Sequence, residues 1–467
     1  MSRYLVFAVA SLALLIGSIS GTAIAVAFPV IITSFNASLV SAGWVLSIYQ
    51  LVATAAMPLA GKASDAFGRR FTFMLCISLF TVGSLLCALA PNIELLIFFR
   101  MIQALGGGGF MPSAAGVVVD EFPRARQQTL GLFTSIFPIG QIIGPNLGGW
   151  MTHAFGWRSI FWFNIPLGVI ALIASAFLLR SQPRGESQID LAGAGLFTGS
   201  LSALMVGLTL MGNSEATASW ALFGLLLAIS IILMFLFLRR QSRVKNPLID
   251  LEILRQKPFI AANIYNFIYG ACILGIMSFL PLYAVSVYGM TILQSGLILT
   301  PRSIGMIIAA TVTSIYLVRW GYRWPMLIGT AAIMVCLFLL GAEFKDVTIL
   351  GVPLSGTFLL LAIMLLAGLG SGVSSPASNN ACIELMPNHV ATITGVRGMF
   401  RQSGGAISIA IASVVLHNVG DLSRGFFIVF FGLAIALLLT MPVIFAIPGT
   451  PSVSPPVRDS SGLSDTT

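Results

Sequence analysis

Residues Gly106 to Pro123 read GGGGFMPSAAGVVVDEFP, and Gly370 to Pro387, 264 positions later, read GSGVSSPASNNACIELMP. Gly106 falls on Gly370, Gly108 on Gly372, Pro112 on Pro376, Asp120 on Glu384 and Pro123 on Pro387. The same offset pairs Gly131 with Gly395 and Gly140 with Gly404. A series of glycine, proline, acid and proline recurring in register marks an internal repeat, which is the sequence trace of a duplicated supersecondary unit.

The chain around these stretches is apolar. Of 467 residues, 57% are AVILMFWYC and 8% are charged, against roughly 25% charged in a soluble domain. So few charges cannot cover a soluble fold of this size, which excludes a soluble enzyme, a disordered protein and a disulfide-rich secreted domain. A spanning helix needs about 20 predominantly apolar residues. Such runs lie near 5–32, 43–60, 71–90, 93–118, 129–152, 160–180, 191–211, 219–238, 258–283, 294–317, 324–342, 355–378, 395–417 and 425–447. The expected fold is therefore an all-α polytopic membrane protein of fourteen helices. The repeat offset spans eight of them, so helices 1–6 match helices 9–14 and helices 7 and 8 are inserted. The expected division is a first six-helix bundle over 1–184, linkers with the inserted helices over 185–257, and a second bundle over 258–448. Residues 449–467, rich in Pro, Ser and Thr, read as a disordered cytoplasmic tail.

Fourteen crossings put both termini on one side. With a cytoplasmic N terminus, 19 of the 24 Lys and Arg fall in cytoplasmic loops, tails or helix junctions and three fall outside (Arg158, Lys345, Arg424). Two, Arg100 and Arg302, fall within spans. That bias sets the orientation and places the chain in the cell membrane with cytoplasmic termini. It also accounts for the net charge of +9, so nucleic acid is not expected as a partner. The five cysteines are scattered through apolar runs without ligand spacing, and neither a metal nor a cofactor is expected.

Three strings carry a family resemblance. GKASDAFGRR (Gly61 to Arg70) follows helix 2 in an expected cytoplasmic loop, GQIIGPNLGG (Gly140 to Gly149) lies in helix 5, and NPLIDLEILRQKPF (Asn246 to Phe259) leads into helix 9. With the fourteen spans, these resemble the major facilitator superfamily, specifically its fourteen-helix drug:proton antiporter branch. Ala66 departs from the first signature, where the family has a cation. The resemblance implies a latch at the cytoplasmic side, made of Asp65, Arg69, Arg70 and Asp120, with Asp65 aimed at the start of helix 13 near Ile393 to Val396. It also implies an antiporter motif made of Gly140, Gly144, Pro145, Gly148 and Gly149. That small face is expected to pack closely against the opposite bundle and seal a leak path, with Pro145 bending the helix.

One expected feature of the branch is missing. All 15 carboxylates fall outside the mid-membrane zone, whereas a proton antiporter usually needs a buried group that titrates. Ser20 stands where the branch has an acid in helix 1, and Ala25 where it has an Asn. The buried charges are cationic. Arg100 resembles the arginine of the family's R-x-x-Q-G motif, with Ala104 in place of its glycine. An arginine in a span costs roughly 3 kcal/mol on insertion scales, so it should face the interior; Gln103, Gln50, Ser20 and Thr22 are its candidate partners. These residues, with Asn263 and Asn266 on one stripe of helix 9 and Arg302 in helix 10, are the expected substrate or coupling cavity. Arginines without carboxylates favour a neutral or anionic amphipathic substrate over a cationic one. The expected function is secondary transport of such a molecule by alternating access, in the manner of drug export, with protons a doubtful coupling ion. A sensor or lipid-handling protein on the same fold is the alternative. HExxH and P-loop strings do not occur, which argues against an enzyme and against ATP as the energy source.

Overall fold

A backbone crossing lipid has no water to bond, so each crossing must close its own hydrogen bonds as a helix. The computed structural model describes residues 2–122, 129, 132–133, 136–179, 190–212, 217–244, 247, 256–344, 346–349, 352–385, 390–447 and 449. Fourteen long helices, two of them interrupted, are formed within them. The first bundle holds α1 (Ser2–Phe35), α2 (Leu39–Phe67), α3 (Arg69–Ala88), α4 (Ile93–Glu121), α5 (Ile136–Phe155) and α6 (Arg158–Leu178). The inserted pair is α7 (Leu191–Gly212) and α8 (Thr217–Gln241). The second bundle opens with α9, whose segments Lys257–Gly270 and Ile276–Tyr288 join through a π-helical turn at Ala271–Gly275. It continues with α10 (Ile292–Leu297 and Leu299–Trp320), α11 (Arg323–Gly341), α12 (Gly356–Leu385), α13 (Val390–Val419) and α14 (Leu422–Ile444). Thirteen of these are long and apolar enough to cross a membrane; α5 has the length, but its glycines, prolines and polar residues dilute its hydropathy. Phe177 is 85% exposed and Leu439 72%, outer-face values that only lipid would cover. The expected tail over 449–467 lies outside the described residues except Gly449.

Local signals set the helix starts. Ser38 caps α2 by accepting from the Ser41 N–H, Asn92 caps α4 by accepting from Leu95, and Thr291 with Gln294 forms a capping box on α10, each satisfying an otherwise orphaned donor. The expected loop after helix 2 is a correction. α2 runs on through Phe67 and α3 starts at Arg69, with only Gly68 between them at φ 93°. That left-handed backbone favours glycine, so the break is one residue long and Asp65 belongs to the helix. A short hairpin was also unforeseen: Asp346–Ile349 pairs antiparallel with Val352–Ser355 between α11 and α12, in a stretch rich in β-branched residues.

The repeat found in the sequence has a packing meaning. A Cβ on Gly106 would strike the α3 backbone at Cys76 and Phe80, and one on Gly370 the α11 backbone at Gly329. Gly108 presses on Ala53 of α2, as Gly372 presses on Met306 of α10. Gly140 lies against Ser18 and the Leu15 carbonyl of α1, as Gly404 lies against the Phe267 carbonyl of α9. Each of these three glycine pairs thus lets equivalent helices touch in the two bundles. Close backbone approach is what holds helices together where lipid removes the hydrophobic drive.

The inserted pair is not free of the bundles. Trp44 Nε1 of α2 donates to Thr209 Oγ1 of α7 at 3.0 Å. Leu201 and Met205 of α7 pack in one cluster with Ile48, Leu51 and Val52 of α2 and Ala406 and Ala410 of α13. Helix α7 therefore covers the seam between α2 and α13. Asp190 ties α7 to the end of α8, accepting from the Gly193 N–H at 2.9 Å, Arg240 Nε at 2.7 Å and Gln241 Nε2 at 2.9 Å. Burial alone would lift its carboxyl, but these bonds and the Arg240 charge hold it below the usual carboxylate range.

Because Gly404 leaves no room for a side chain, Gly404→Val should destabilise the second bundle by about 1–3 kcal/mol, read as a lowered thermal midpoint in detergent. Gly432→Ala, where a Cβ meets nothing within 4 Å, should leave that midpoint unchanged.

Candidate functional site: a cavity between the bundles

The two bundles meet most closely on the side away from the N terminus, called here the far side; the side bearing Arg69, Arg70 and the Arg239–Arg243 cluster is the basic side. At the far side Phe28 of α1 meets Phe279 of α9 edge-on at 5.4 Å. Thr300 Oγ1 of α10 donates to Asn146 Oδ1 of α5 at 2.9 Å, and Gly43 of α2 leaves space only for Ser413 of α13. The seam between α2 and α13 continues down to Met57 beside Gly398.

Inside this closure lies an open cavity of about 160 Å³. Its walls come from α1 between Leu14 and Ala25, α2 between Tyr49 and Met57, α4 between Gly107 and Met111, and α5 between Phe137 and Pro145. The second bundle contributes Ile273 to Ser278 of α9, Leu299 and Arg302 of α10, and Gln402 of α13. On α1, α4, α5 and α13 these positions lie toward the basic side of the closure, so the cavity faces that side. The wall is largely apolar, with Met57, Phe110, Met111, Phe137 and Met277, and a few polar groups: Ser18, Thr22, Tyr49, Gln50, Gln141, Ser278 and Gln402. Among the described lining residues, Arg302 alone is charged. Apolar walls with sparse polar groups suit an amphipathic small molecule.

Of the expected cavity residues, Thr22, Gln50 and Arg302 line this space; Ser20, Arg100, Gln103, Asn263 and Asn266 do not. Arg100 is 1% exposed and sits behind the cavity wall. Its Nε donates to the Val45 carbonyl at 3.1 Å and its Nη1 to Gln103 Oε1 at 2.6 Å. Its guanidinium lies 4.3 Å from the centre of the Tyr49 ring. Gln103 Nε2 donates to Ser84 Oγ at 2.8 Å and reaches Ser20 Oγ at 3.5 Å, and Asn164 Nδ2 donates to Ser20 Oγ at 3.1 Å. Ser20 therefore serves a buried network joining α1, α2, α3, α4 and α6. Gln50 and Thr22 are not in it: Gln50 Oε1 is buried without a partner, and Thr22 bonds back to the Ser18 carbonyl of its own helix. Asn263 and Asn266 are turned into the second bundle, donating to Phe259 and Ala262 carbonyls, with Asn266 also accepting from Ser378 of α12.

The antiporter-motif residues divide their contacts. Gly140, Gly144 and Gly148 press on α1 of their own bundle, at Ser18, Thr22 and Ala23. Only the end of the motif meets the opposite bundle, where the Pro145 carbonyl abuts Gly296 and Gly149 abuts Ile292 of α10. Of the latch residues, Arg69 pairs with Asp120 and bonds the Gly116 carbonyl, and Arg70 donates to the Ala176 carbonyl at 2.7 Å. These contacts bind α3 to α4 and α6 within one bundle. The Asp65 side chain and those of residues 390–395 are outside what is described.

The chain matches the family model described as Major Facilitator Superfamily over residues 10–192, 191–409 and 294–464. It belongs to that superfamily. The methylenomycin A resistance protein of Streptomyces coelicolor is 30% identical over 90% of this chain and 86% of its own length. The multidrug transporter protein MdtP of Bacillus subtilis is 29% identical over 87% of this chain and 74% of its own. Among solved structures, a point mutant of the nucleoside transporter NupG superposes with a TM-score of 0.66 at 15% identity, covering 95% of this chain and all of that one; at that identity the likeness concerns the fold. This superfamily member is a multi-pass membrane protein and a drug-efflux-like secondary transporter, and the sensor or lipid-handling alternative is not favoured. Transporters of this superfamily are generally not enzymes.

Sequence reasoning missed Tyr49, Gln141, Ser278 and Gln402. Gln141 and Gln402 were within reach, since one sits inside the glycine motif and the other beside Arg401. Tyr49 carries no signal apart from the ring that the structure places against Arg100.

The Arg100 network makes a coupled prediction. Arg100→Leu and Gln103→Leu should each lower stability by about 1–3 kcal/mol, the cost of orphaning a buried polar partner. The double variant should cost clearly less than the sum, because the two residues share one network. Strict additivity in a thermal-melt cycle would show that they act separately.

Proposed function

We propose that this chain exports a neutral or anionic amphipathic molecule from the cytoplasm across the cell membrane. Residues 1–184 and 258–448 are the two units that rock against each other, joined through 185–257, and the termini and the basic side are cytoplasmic. The observation that carries the reading is the cavity itself: a mostly apolar wall built by both bundles, one guanidinium, and no carboxylate among its described lining residues. The relatives named for multidrug transport and methylenomycin A resistance agree with export of a small organic molecule. The chain is not an enzyme in this reading, and Asp65, Arg69, Arg70 and Asp120 act as a latch when the cavity faces outward.

Energy coupling follows from the same charges. Each described carboxylate sits at a helix end or outside the helices, Glu94, Asp120, Glu121, Asp190, Glu343, Glu384 and Asp421 among them, so none of these is placed to carry a proton through the membrane. An anion needs none. Leaving a negative-inside cell, it falls through about 2.3 kcal/mol per charge per 100 mV.

Purified protein in proteoliposomes with an internal pH dye tests this against a panel of anionic, neutral and cationic amphiphiles. Anionic and neutral members should move without accompanying proton flux. Substrate-driven proton flux, or transport confined to the cations, would overturn the reading.

A further inference from the structure

Three arginines of the second bundle stand apart from every ion pair described. Arg302 lies in α10, and Arg397 and Arg401 lie in α13, seven and eleven residues beyond Val390. At 1.5 Å per residue that is about 10 and 16 Å along the helix, so both stand within α13 rather than in the loop before it. The ion pairs among the described residues are Arg69–Asp120 and Arg240–Asp190, and neither involves the three. Arg302 is 8% exposed, forms no hydrogen bond among the described residues, lines the cavity, and has a buried Nε without a partner. Arg401 has a buried, unpartnered Nε and lies 5.2 Å from the centre of the Tyr269 ring. Arg397 donates one Nη to Asn379 Oδ1 at 3.1 Å, while its Nε and other Nη are buried and unpaired.

The three are neighbours. Arg397 and Arg401 stand four residues apart, on one face of α13, and Arg302 and Arg397 each lie within electrostatic reach of Arg401 and of the Tyr269 ring it overlies. The Tyr269 ring stacks on Tyr265 at 5.7 Å, and its hydroxyl donates to the Ser371 carbonyl at 3.2 Å, so the platform under Arg401 is fixed. Gln402, next in the chain to Arg401, lines the cavity with Arg302. Three like charges around one ring repel one another, and buried Arg302, together with the buried donor nitrogens of the half-buried Arg397 and Arg401, lacks the acceptors that buried guanidinium groups require. The Arg100 network shows what this chain builds when a buried arginine is structural: a carbonyl, an amide and a ring together.

We propose that Arg302, Arg397 and Arg401 form a binding site for a single anionic group, a carboxylate, sulfonate or phosphate, reached from the cavity at Arg302. The site rests on the export reading in assigning that anion to the transported amphiphile. An oxyanion supplies the missing acceptors to several donors at once, and guanidinium groups match its geometry.

The test is equilibrium binding to the purified full chain in a neutral detergent, using two matched fluorescent probes, dansylglycine and its uncharged amide. The wild type should bind the anion about ten-fold tighter than the amide, a difference of about 1.4 kcal/mol. Arg302→Gln and Arg401→Gln should each bring that ratio close to one while amide affinity holds. Removing a charge with unpartnered donors from the bundle also lowers an insertion cost, so both variants should fold. If a glutamine variant loses amide binding as well, Arg401→Lys decides: a retained anion preference supports the site and a lost one overturns it. Equal binding of both probes to the wild type, or an unchanged ratio in both glutamine variants, also overturns it. Added phosphatidylglycerol that displaces dansylglycine would show that a lipid headgroup shares the site, against its assignment to the substrate alone; no displacement supports the substrate assignment. Loss of flux in proteoliposomes with the binding ratio intact would count against export and leave the site standing.

Discussion

A guanidinium buried in a membrane-spanning bundle cannot shed its charge, so the fold must bring it acceptors or leave it open toward something that will. In this chain the usual acceptor is withheld, because the described carboxylates are kept to helix ends. Arg100 answers with the Val45 carbonyl, Gln103 and the Tyr49 ring. In doing so it fixes the positions of α2 and α4 that form one wall of the cavity. The second bundle answers differently, with open donors gathered near the cavity. The two halves of a repeated fold have thus been given opposite electrostatic tasks, one to hold its shape and the other to offer charge.

Close helix contact is what allows such charges to be buried. The glycine pairs that mark the repeat put equivalent helices in contact in both bundles, and the far-side closure draws on the same resource through Gly43, Gly149 and Gly296. Contacts of this kind are either made or broken, with little between. That suits a cleft which must shut completely on one side before it opens on the other. The inserted helices add a cover over the α2–α13 seam, where the bundles stay together over the longest stretch.

The crossings were legible because lipid demands about twenty apolar residues each, and the repeat because glycine and proline are seldom interchangeable at a close contact. The extent of helices past their apolar runs was not legible. α2 continues to Phe67 because polar helix ends protrude from the bilayer, and only Gly68 breaks it. The same effect puts Arg397 and Arg401, which a hydropathy reading leaves at the edge of an apolar run, about two and three turns along α13. Ser20 was singled out for a missing acid, but whether a polar residue faces a cavity or a neighbouring helix depends on rotation about the helix axis. Hydropathy does not report that rotation, and it also misplaced Asn263 and Asn266.

The central claim is that fixed positive charge in a cavity without carboxylates among its described lining residues admits an anion as cargo and makes the membrane potential that anion's driving force. The most direct measurement imposes a potassium diffusion potential with valinomycin on proteoliposomes and follows dansylglycine and its amide in parallel. The account predicts that dansylglycine accumulates on the positive side, approaching roughly fifty-fold per 100 mV, while the amide ignores the potential. Anion movement indifferent to the potential, or an equal response from both probes, would contradict it.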